Sequence, residues 1–239
     1  MNRHRYRLVF NCATGLLTPV AETARRAARG AAACALAASP ALAELPAPGA
    51  DFVAAGQAGY QRDGAQAYVN QVGSQAILNW QSFNVSAGKT VEFRQVDSLA
   101  SGNPLANAAF TTLNRIHDLN PSVIAGAITQ APGQQANVIL VNSNGIAFTR
   151  GAEVDLASFA ASTLDLGDDF VLSGLLGDQN TPQFAGALDG GAARGFVKVF
   201  EGARLTAGRQ GRVMLIAPTV ANAGEISTPD GQTILAAGS

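Results

Sequence analysis

The chain has 239 residues, 47% of them hydrophobic and only 14% charged, with a formal net charge of −1. Charge is low against the usual ~25%, glycine is abundant, and Ala, Gly, Val, Asn and Thr outweigh Lys and Glu, a mix that suits a turn-rich β solenoid better than a helical bundle. No basic patch argues for nucleic acid, and with both cysteines (Cys12 and Cys34) near the N-terminus, the body carries no disulfide framework.

Residues 1–43 read as a cleavable, helical secretory signal with a long n-region. Arg3, Arg5, Arg7, Arg25, Arg26 and Arg29 precede the apolar run Gly30–Ala38, and Ala41-Leu42-Ala43 meets the small-x-small cleavage rule, so cleavage is expected before Glu44. The apolar run is shorter than the ~20 residues of a membrane-spanning helix. An Arg-rich, acid-poor segment also fits an organellar transit peptide, but the order of h-region and cleavage site favours the secretory signal. Asn2, Arg5-Tyr6-Arg7, Phe10-Asn11 and Val20-Ala21-Glu22 carry a more specific likeness. With them the segment resembles the extended signal peptide of large Gram-negative secreted proteins, chiefly autotransporters and two-partner-secretion exoproteins.

Leu45–Gly49 (LPAPG) reads as a short linker, because its prolines disfavour regular structure. The first strands are expected in Gly64–Val85, where polar and apolar residues alternate around Ile77, Trp80, Phe83 and Val85. They would close the open end of a solenoid, which otherwise exposes backbone groups and apolar surface. Trp80, Phe83 and Phe93 are candidate cap or first-coil core. Gly88–Val96 is a further alternating strand, with Val91 and Phe93 inward and Glu92 and Arg94 outward. Ser98–Asn107 is a loop. Leu113–His117 and Val123–Ile128 are short strands about a turn at Asp118–Pro121.

From Asn137 the pattern becomes regular: short apolar runs such as Val138–Val141 and Ile146–Phe148 alternate with Asn/Gly corners. Asp165–Gln183 is less regular and reads as a hairpin or loop leaving the stack. Regularity returns from Gly195. There Gly211-x-Val213-x-Leu215-x-Ala217 is echoed by Gly231-x-Thr233-x-Leu235-x-Ala237 at an offset of about 20 residues. Strands this short gain from stacking on the preceding coil, so Val213/Thr233 and Leu215/Leu235 are expected about 4.8 Å apart. An antiparallel sandwich is the alternative, although no two-residue hairpin signal joins the regular strands.

The body then resembles a named family. Asn79-Trp80-Gln81-Ser82-Phe83-Asn84-Val85, Gly88–Phe93, Leu113-Asn114-Arg115-Ile116, Ser122–Ile128, Val138–Ile146 with its corner Asn142-Ser143-Asn144-Gly145, Gly151–Asp155 and Ala161–Leu164 occur in order and spacing. Together they are similar to the N-terminal secretion domain of filamentous-haemagglutinin-like adhesins, the exoproteins of two-partner secretion. Serine at 143 replaces the proline of the family's Asn-Pro-Asn-Gly corner. The Asn-Pro-Asn-Leu signature of some members is missing, since Asn103-Pro104-Leu105 is a different sequence, which suggests the haemagglutinin-type branch.

The resemblance implies an all-β fold over residues 44–239: a right-handed parallel β-helix with an N-terminal β cap, consistent with the handedness of parallel crossovers. It implies export through the Sec translocon and signal peptidase, then an outer-membrane β-barrel transporter with POTRA domains, to the cell surface or medium of a Gram-negative bacterium. A host-cell surface receptor or glycan is a further implied partner. Asn79, Trp80, Phe83, Asn84, Asn114, Arg115, Asn142, Ser143, Asn144 and Gly145 are the residues expected to carry transporter recognition or the fold signature.

Two other readings compete. β-Helices also host polysaccharide-active enzymes, whose sites need acids converging on one face. Glu153 and Asp155 share strand parity, and Asp165, Asp168 and Asp169 form a second acidic group. His117 has no accompanying nucleophile motif. No Cys/His cluster or calcium-binding repeat is present, so no metal or cofactor is expected, and the expectation is a non-enzyme. A passive adhesion or filament module is the third reading. The last residues, Ala237-Gly238-Ser239, fall inside an apparent coil, so the chain is expected to be part of a longer exoprotein.

Overall fold

The computed structural model describes residues 6–11, 16–21, 44–168, 171 and 186–238. They fall in two compact units, Met1–Leu42 and Ala43–Ser239. In the first, β1 (Tyr6–Asn11) and β2 (Leu16–Ala21) pair antiparallel, with Tyr6 opposite Ala21 and Asn11 opposite Leu16. For these residues the expected helical leader is corrected. Tyr6, Val9, Phe10, Thr18 and Val20 favour strands, and Pro19 would remove a helix hydrogen bond. The apolar run Gly30–Ala38 and the cleavage residues Ala41 and Ala43 lie outside the described residues; Glu44 opens the described part of the second unit.

That unit begins with a long antiparallel hairpin of β3 (Ala47–Asp63) and β4 (Gln66–Ser82). The linker expected at Leu45–Gly49 is therefore corrected. Ala47-Pro48-Gly49 belong to β3, and Leu45 is buried, its carbonyl accepting a hydrogen bond from Arg62 at 3.0 Å. Proline is tolerated there because β3 pairs on one side only. Register shifts interrupt the pairing between Ala47 and Gln57, while Gln57–Asp63 against Gln66–Val72 is regular.

β4 seeds the rest of the fold. Gly73, at φ +91°, lies between its two halves. The first half, Gln66–Gln71, pairs with β5 (Thr90–Gln95), and the second, Gln75–Trp80, pairs with β6 (Ala109–Ile116). β7 (Ser122–Ile124) completes that coil. Further coils follow as β8 (Ala127–Gln130), β9 (Gln135–Val141) and β10 (Ile146–Phe148), then β11 (Glu153–Leu156), β12 (Ser158–Ser162) and β13 (Phe196–Val199). β14 (Arg204–Ala207), β15 (Arg212–Ala217) and β16 (Thr219–Asn222) precede β17 (Glu225–Ser227) and β18 (Gln232–Ala237). Every strand from β5 onward pairs in parallel with the equivalent strand one coil away. The body is a parallel β-helix with an antiparallel hairpin at its N-terminal end.

The expected single strand Val123–Ile128 is divided into β7 and β8. Its break is at Gly126, where a Cβ would overlap the carbonyl oxygens of Ser86 and Lys89. The irregular stretch expected over Asp165–Gln183 falls between β12 and β13; residues 169, 170 and 172–185 lie outside the described residues, and the described flanks, 163–168 and 186–195, form an excursion with no regular strand.

Equivalent side chains stack as the repeat requires. Val213 lies opposite Thr233, and Leu215 opposite Leu235. One inward column runs Ala67, Val91, Ile128, Val154, Leu205, Ile226, with all but Ile226 fully buried. An outward column runs Ile77, Leu113, Ile139, Ala160, Met214, Ile234. Leu166, Val171 and Leu188, from the excursion, cover its first members and form a second core outside the helix. Burying each Leu- or Ile-sized side chain contributes about 1.5–3 kcal/mol, so strand β9 is apolar on both faces because both are covered.

Candidate functional site

Of the aromatic residues read from the sequence, Trp80 and Phe83 form the plug of the first coil, and Phe93 is buried in β5. Trp80 and Phe83 are fully buried, and their rings meet edge-on at 5.1 Å between centroids. Phe52 and Tyr60 of β3 also stand edge-on to Trp80, at 4.8 and 5.2 Å. The hairpin thus supplies the lid that the open end of the stack needs. Burial pushes the Tyr60 phenol up from its ordinary pKa, against the opposing hydrogen bond from Arg62.

Trp80 needs a hydrogen-bond acceptor inside this apolar plug, and Asn114 provides it. Trp80 Nε1–H donates to Asn114 Oδ1 at 3.0 Å. Asn114 Nδ2 then donates to the carbonyls of Thr112 (3.2 Å) and Ile139 (3.1 Å), so one buried amide ties three successive coils. Asn79, facing outward, donates to the Asp51 carbonyl at 3.1 Å and lies 3.3 Å from His117 Nε2. Asn84 Nδ2 donates to Glu44 Oε2 at 3.1 Å, and its Oδ1 accepts from the Val123 amide at 2.8 Å. Glu44, the residue after the expected cleavage point, is therefore built into the first coil.

Arg115 points away from its neighbour Asn114. Its guanidinium meets Asp165 at 2.8 Å and Asp168 at 2.6 Å, and donates to the Leu166 carbonyl at 2.7 Å. Burial works against this charge, but the hydrogen bonds to Asp165 and Asp168 outweigh it and hold the arginine pKa above its ordinary value. Arg115 is the anchor of the excursion over the outward apolar column. Asp165 and Asp168, grouped above as a possible acidic site, are its counter-charges; Asp169 lies outside the described residues.

At the corner Asn142-Ser143-Asn144-Gly145, Asn142 is fully buried. Its Nδ2 donates to the Asn120 carbonyl (3.1 Å) and to Ser122 Oγ (3.0 Å), while its Oδ1 accepts from the Asn144 amide (2.9 Å). Asn144 Nδ2 donates to the Asp118 carbonyl at 2.7 Å, and Arg194 Nε donates to Asn144 Oδ1 at 3.3 Å. Ser143 Oγ accepts from the Leu188 amide at 2.8 Å. Gly145 sits at φ +122°, a conformation open to glycine, with Phe196 packed over it. Serine at 143 thus contributes a hydroxyl that holds the excursion, which a proline cannot.

The sequence reading missed a second set of amides at another corner. Gln71 Nε2 donates to the Thr111 carbonyl (3.3 Å), and Thr112 Oγ1 donates to Gln71 Oε1 (2.6 Å). Gln134 exchanges hydrogen bonds with the backbone of Gln95 at 2.8 Å each and donates to the Leu105 carbonyl at 2.6 Å. Gln130 Oε1 accepts from Ala136 and Ala157, 2.8 and 2.9 Å away. The signal was parity: Ala67-x-Val69-x-Gln71 places a glutamine where an inward apolar residue is due.

Glu153 and Asp155 do share an exposed face of β11, as their alternation requires. Their register neighbours are Ala127 and Arg204 for Glu153, and Thr129 and Thr206 for Asp155. Arg204 in turn pairs with Glu225 at 3.2 Å. This is an inter-coil charge ladder, with a shallow groove floored by Gly151, Gly202 and Gly224 beside it. His117 is exposed and engages Asn79, with no nucleophile beside it in the described contacts.

Comparison with known proteins agrees with this geometry. Residues 51–239 match the family model described as TPS secretion domain, and residues 1–50 match the extended signal peptide of the type V secretion system. Two Haemophilus influenzae proteins, each described as a heme/hemopexin-binding protein, are 32% identical, over 119 and 98 residues. The matches cover 50% and 41% of this chain but only 12% and 9% of those proteins. Among solved structures, the HMW1 secretion domain from Haemophilus influenzae superposes with a TM-score of 0.61 at 27% identity, covering 78% of this chain and 43% of that one.

Proposed function

The chain belongs to the TPS secretion domain family, behind an extended type V signal peptide, and on that premise we propose that it delivers a larger exoprotein to a dedicated outer-membrane transporter. As an exoprotein of this family, it is secreted or displayed on the cell surface of a Gram-negative bacterium. The family is a secretion domain, not an enzyme family.

On this reading residues 1–43 engage the Sec translocon, and signal peptidase cuts after Ala43. The body reaches the periplasm unfolded and meets the POTRA domains of a β-barrel transporter. An extended segment of the chain adds a strand to a POTRA sheet edge, so main-chain hydrogen bonds supply the affinity and alternate side chains supply the choice of partner. The chain then crosses the barrel and coils outside. A contact with a host-cell surface receptor or glycan is proposed for the exoprotein as a whole.

The observation that supports this order of events is burial. Trp80, Phe83, Asn114 and Asn142 are inside the folded helix, where no transporter can touch them. If these residues take part in recognition, they do so before the coil closes; after it closes, they hold successive coils together. Export of the chain without Gln75–Val85, or with Val138–Gly145 scrambled, tests this. Both variants are expected to accumulate in the periplasm, and undiminished export of either contradicts the role.

A further inference from the structure

We propose that Asn144 is a conformation-gated deamidation site, closed to the reaction in the folded corner and open to it in the unfolded chain. Asn144-Gly145 is the single Asn-Gly pair in the sequence. Asparagine is among the thermolabile residues, and glycine after it leaves the main-chain nitrogen unhindered. In the reaction the Gly145 nitrogen gives up its proton and bonds to Cγ of Asn144. The Cγ–Nδ2 bond breaks, and that nitrogen leaves as ammonia. The resulting succinimide takes up one water. Opening at Cγ gives aspartate; opening at the main-chain carbonyl gives isoaspartate. Water is the one co-reactant, and nothing is oxidised or reduced.

The folded corner opposes this at each reacting atom. The Gly145 N–H is donated to the Asn142 carbonyl at 3.0 Å, which disfavours its deprotonation. Asn144 Nδ2 is donated to the Asp118 carbonyl at 2.7 Å, and Oδ1 accepts from Arg194 at 3.3 Å. The Asn144 amide is itself held by Asn142 Oδ1 at 2.9 Å. Swinging Cγ onto the Gly145 nitrogen breaks the bonds to Asp118 and Arg194 together, and Phe196 packs over the glycine.

The product does not fit the same corner. A carboxylate at 144 keeps the contact with Arg194 but has no proton for the Asp118 carbonyl and sets oxygen against oxygen there. Isoaspartate also inserts an extra backbone carbon between β9 and β10, where one coil must register on the next. A chain that lingers unfolded therefore acquires an irreversible mark at a coil corner that a promptly folded chain escapes. This holds whichever machine exports the chain, since it rests on the corner alone.

The test is peptide mapping by mass spectrometry after parallel incubation of the full chain, at mildly alkaline pH, in native buffer and in concentrated urea. In urea Asn144 is expected to convert before any other asparagine. In native buffer it should convert at least about tenfold more slowly, because reaction then requires local opening. Equal rates in the two conditions, or an earlier conversion elsewhere in urea, overturn the proposal. The Asn144→Asp variant addresses the consequence. It is expected to unfold at a lower urea midpoint than the parent chain, and an unchanged midpoint rejects the claim that the mark damages the corner.

Discussion

Asn114 and Arg115 are adjacent in one strand and do opposite jobs. Strand alternation sends the amide into the stack and the guanidinium out under the excursion. In the Asn114→Ala variant the fully buried Trp80 N–H loses its acceptor. The expected loss of stability is about 1–3 kcal/mol, read from urea unfolding followed by the fluorescence of the single tryptophan. At the edge of the excursion, Asp189 accepts two hydrogen bonds from Arg194, at 3.1 and 2.9 Å, and this arginine holds its carboxyl below the ordinary value. The stabilisation this gives is present above about pH 4 and is lost as the pH falls through the lowered folded value. The gap in thermal midpoint between the parent and Asp189→Asn should therefore close in acid; a gap that persists there contradicts the assignment. Residue identity was legible in sequence at both positions, but their partners were not. Asp165 lies 50 residues from Arg115 in sequence, and Asn114 reaches Ile139 across a coil boundary.

Corners, more than strands, specify this helix. The short runs Val138–Val141 and Ile146–Phe148 were legible because apolar residues alternate or cluster between Asn and Gly. The turn at Gly126 was not, since Ser122–Ile128 contains no Asn, Asp or Pro to mark a break. Its reason lies in three dimensions: two carbonyl oxygens of the preceding coil occupy the space a side chain needs. Gly126→Ala is expected to destabilise by about 1–3 kcal/mol or more. Gly167→Ala, where among the described residues no atom beyond the chain neighbours lies within 4 Å of the added carbon, should stay within about 0.5 kcal/mol of the parent. Equal effects at the two glycines would remove the steric account. The hairpin strand β3 was illegible for a different reason. Its small residues and register shifts leave no clean alternation, and it is held by Phe52 and Tyr60 against Trp80 rather than by its own pattern.

At the scale of the whole molecule, the 20-residue echo near the C-terminus was the clearest signal, because stacking converts a sequence offset directly into side-chain contact: Val213 on Thr233, Leu215 on Leu235. Parallel pairing between coils is non-local, and such topologies fold slowly, which on the proposed route would keep the chain threadable while it crosses two membranes. With both cysteines in the leader, no disulfide ties the body before it passes. On the proposed route, the stability released on coiling, roughly 0.05–0.15 kcal/mol per residue, would bias movement outward. The most direct test is a secretion assay. Residues 1–239 are fused ahead of a passenger that has no signal of its own, in a Gram-negative host with and without the partner transporter. The passenger should reach the medium or cell surface only when the transporter is present and both the leader and the β-helical body are intact. Passenger outside the cell without the transporter, or with the body deleted, contradicts the account.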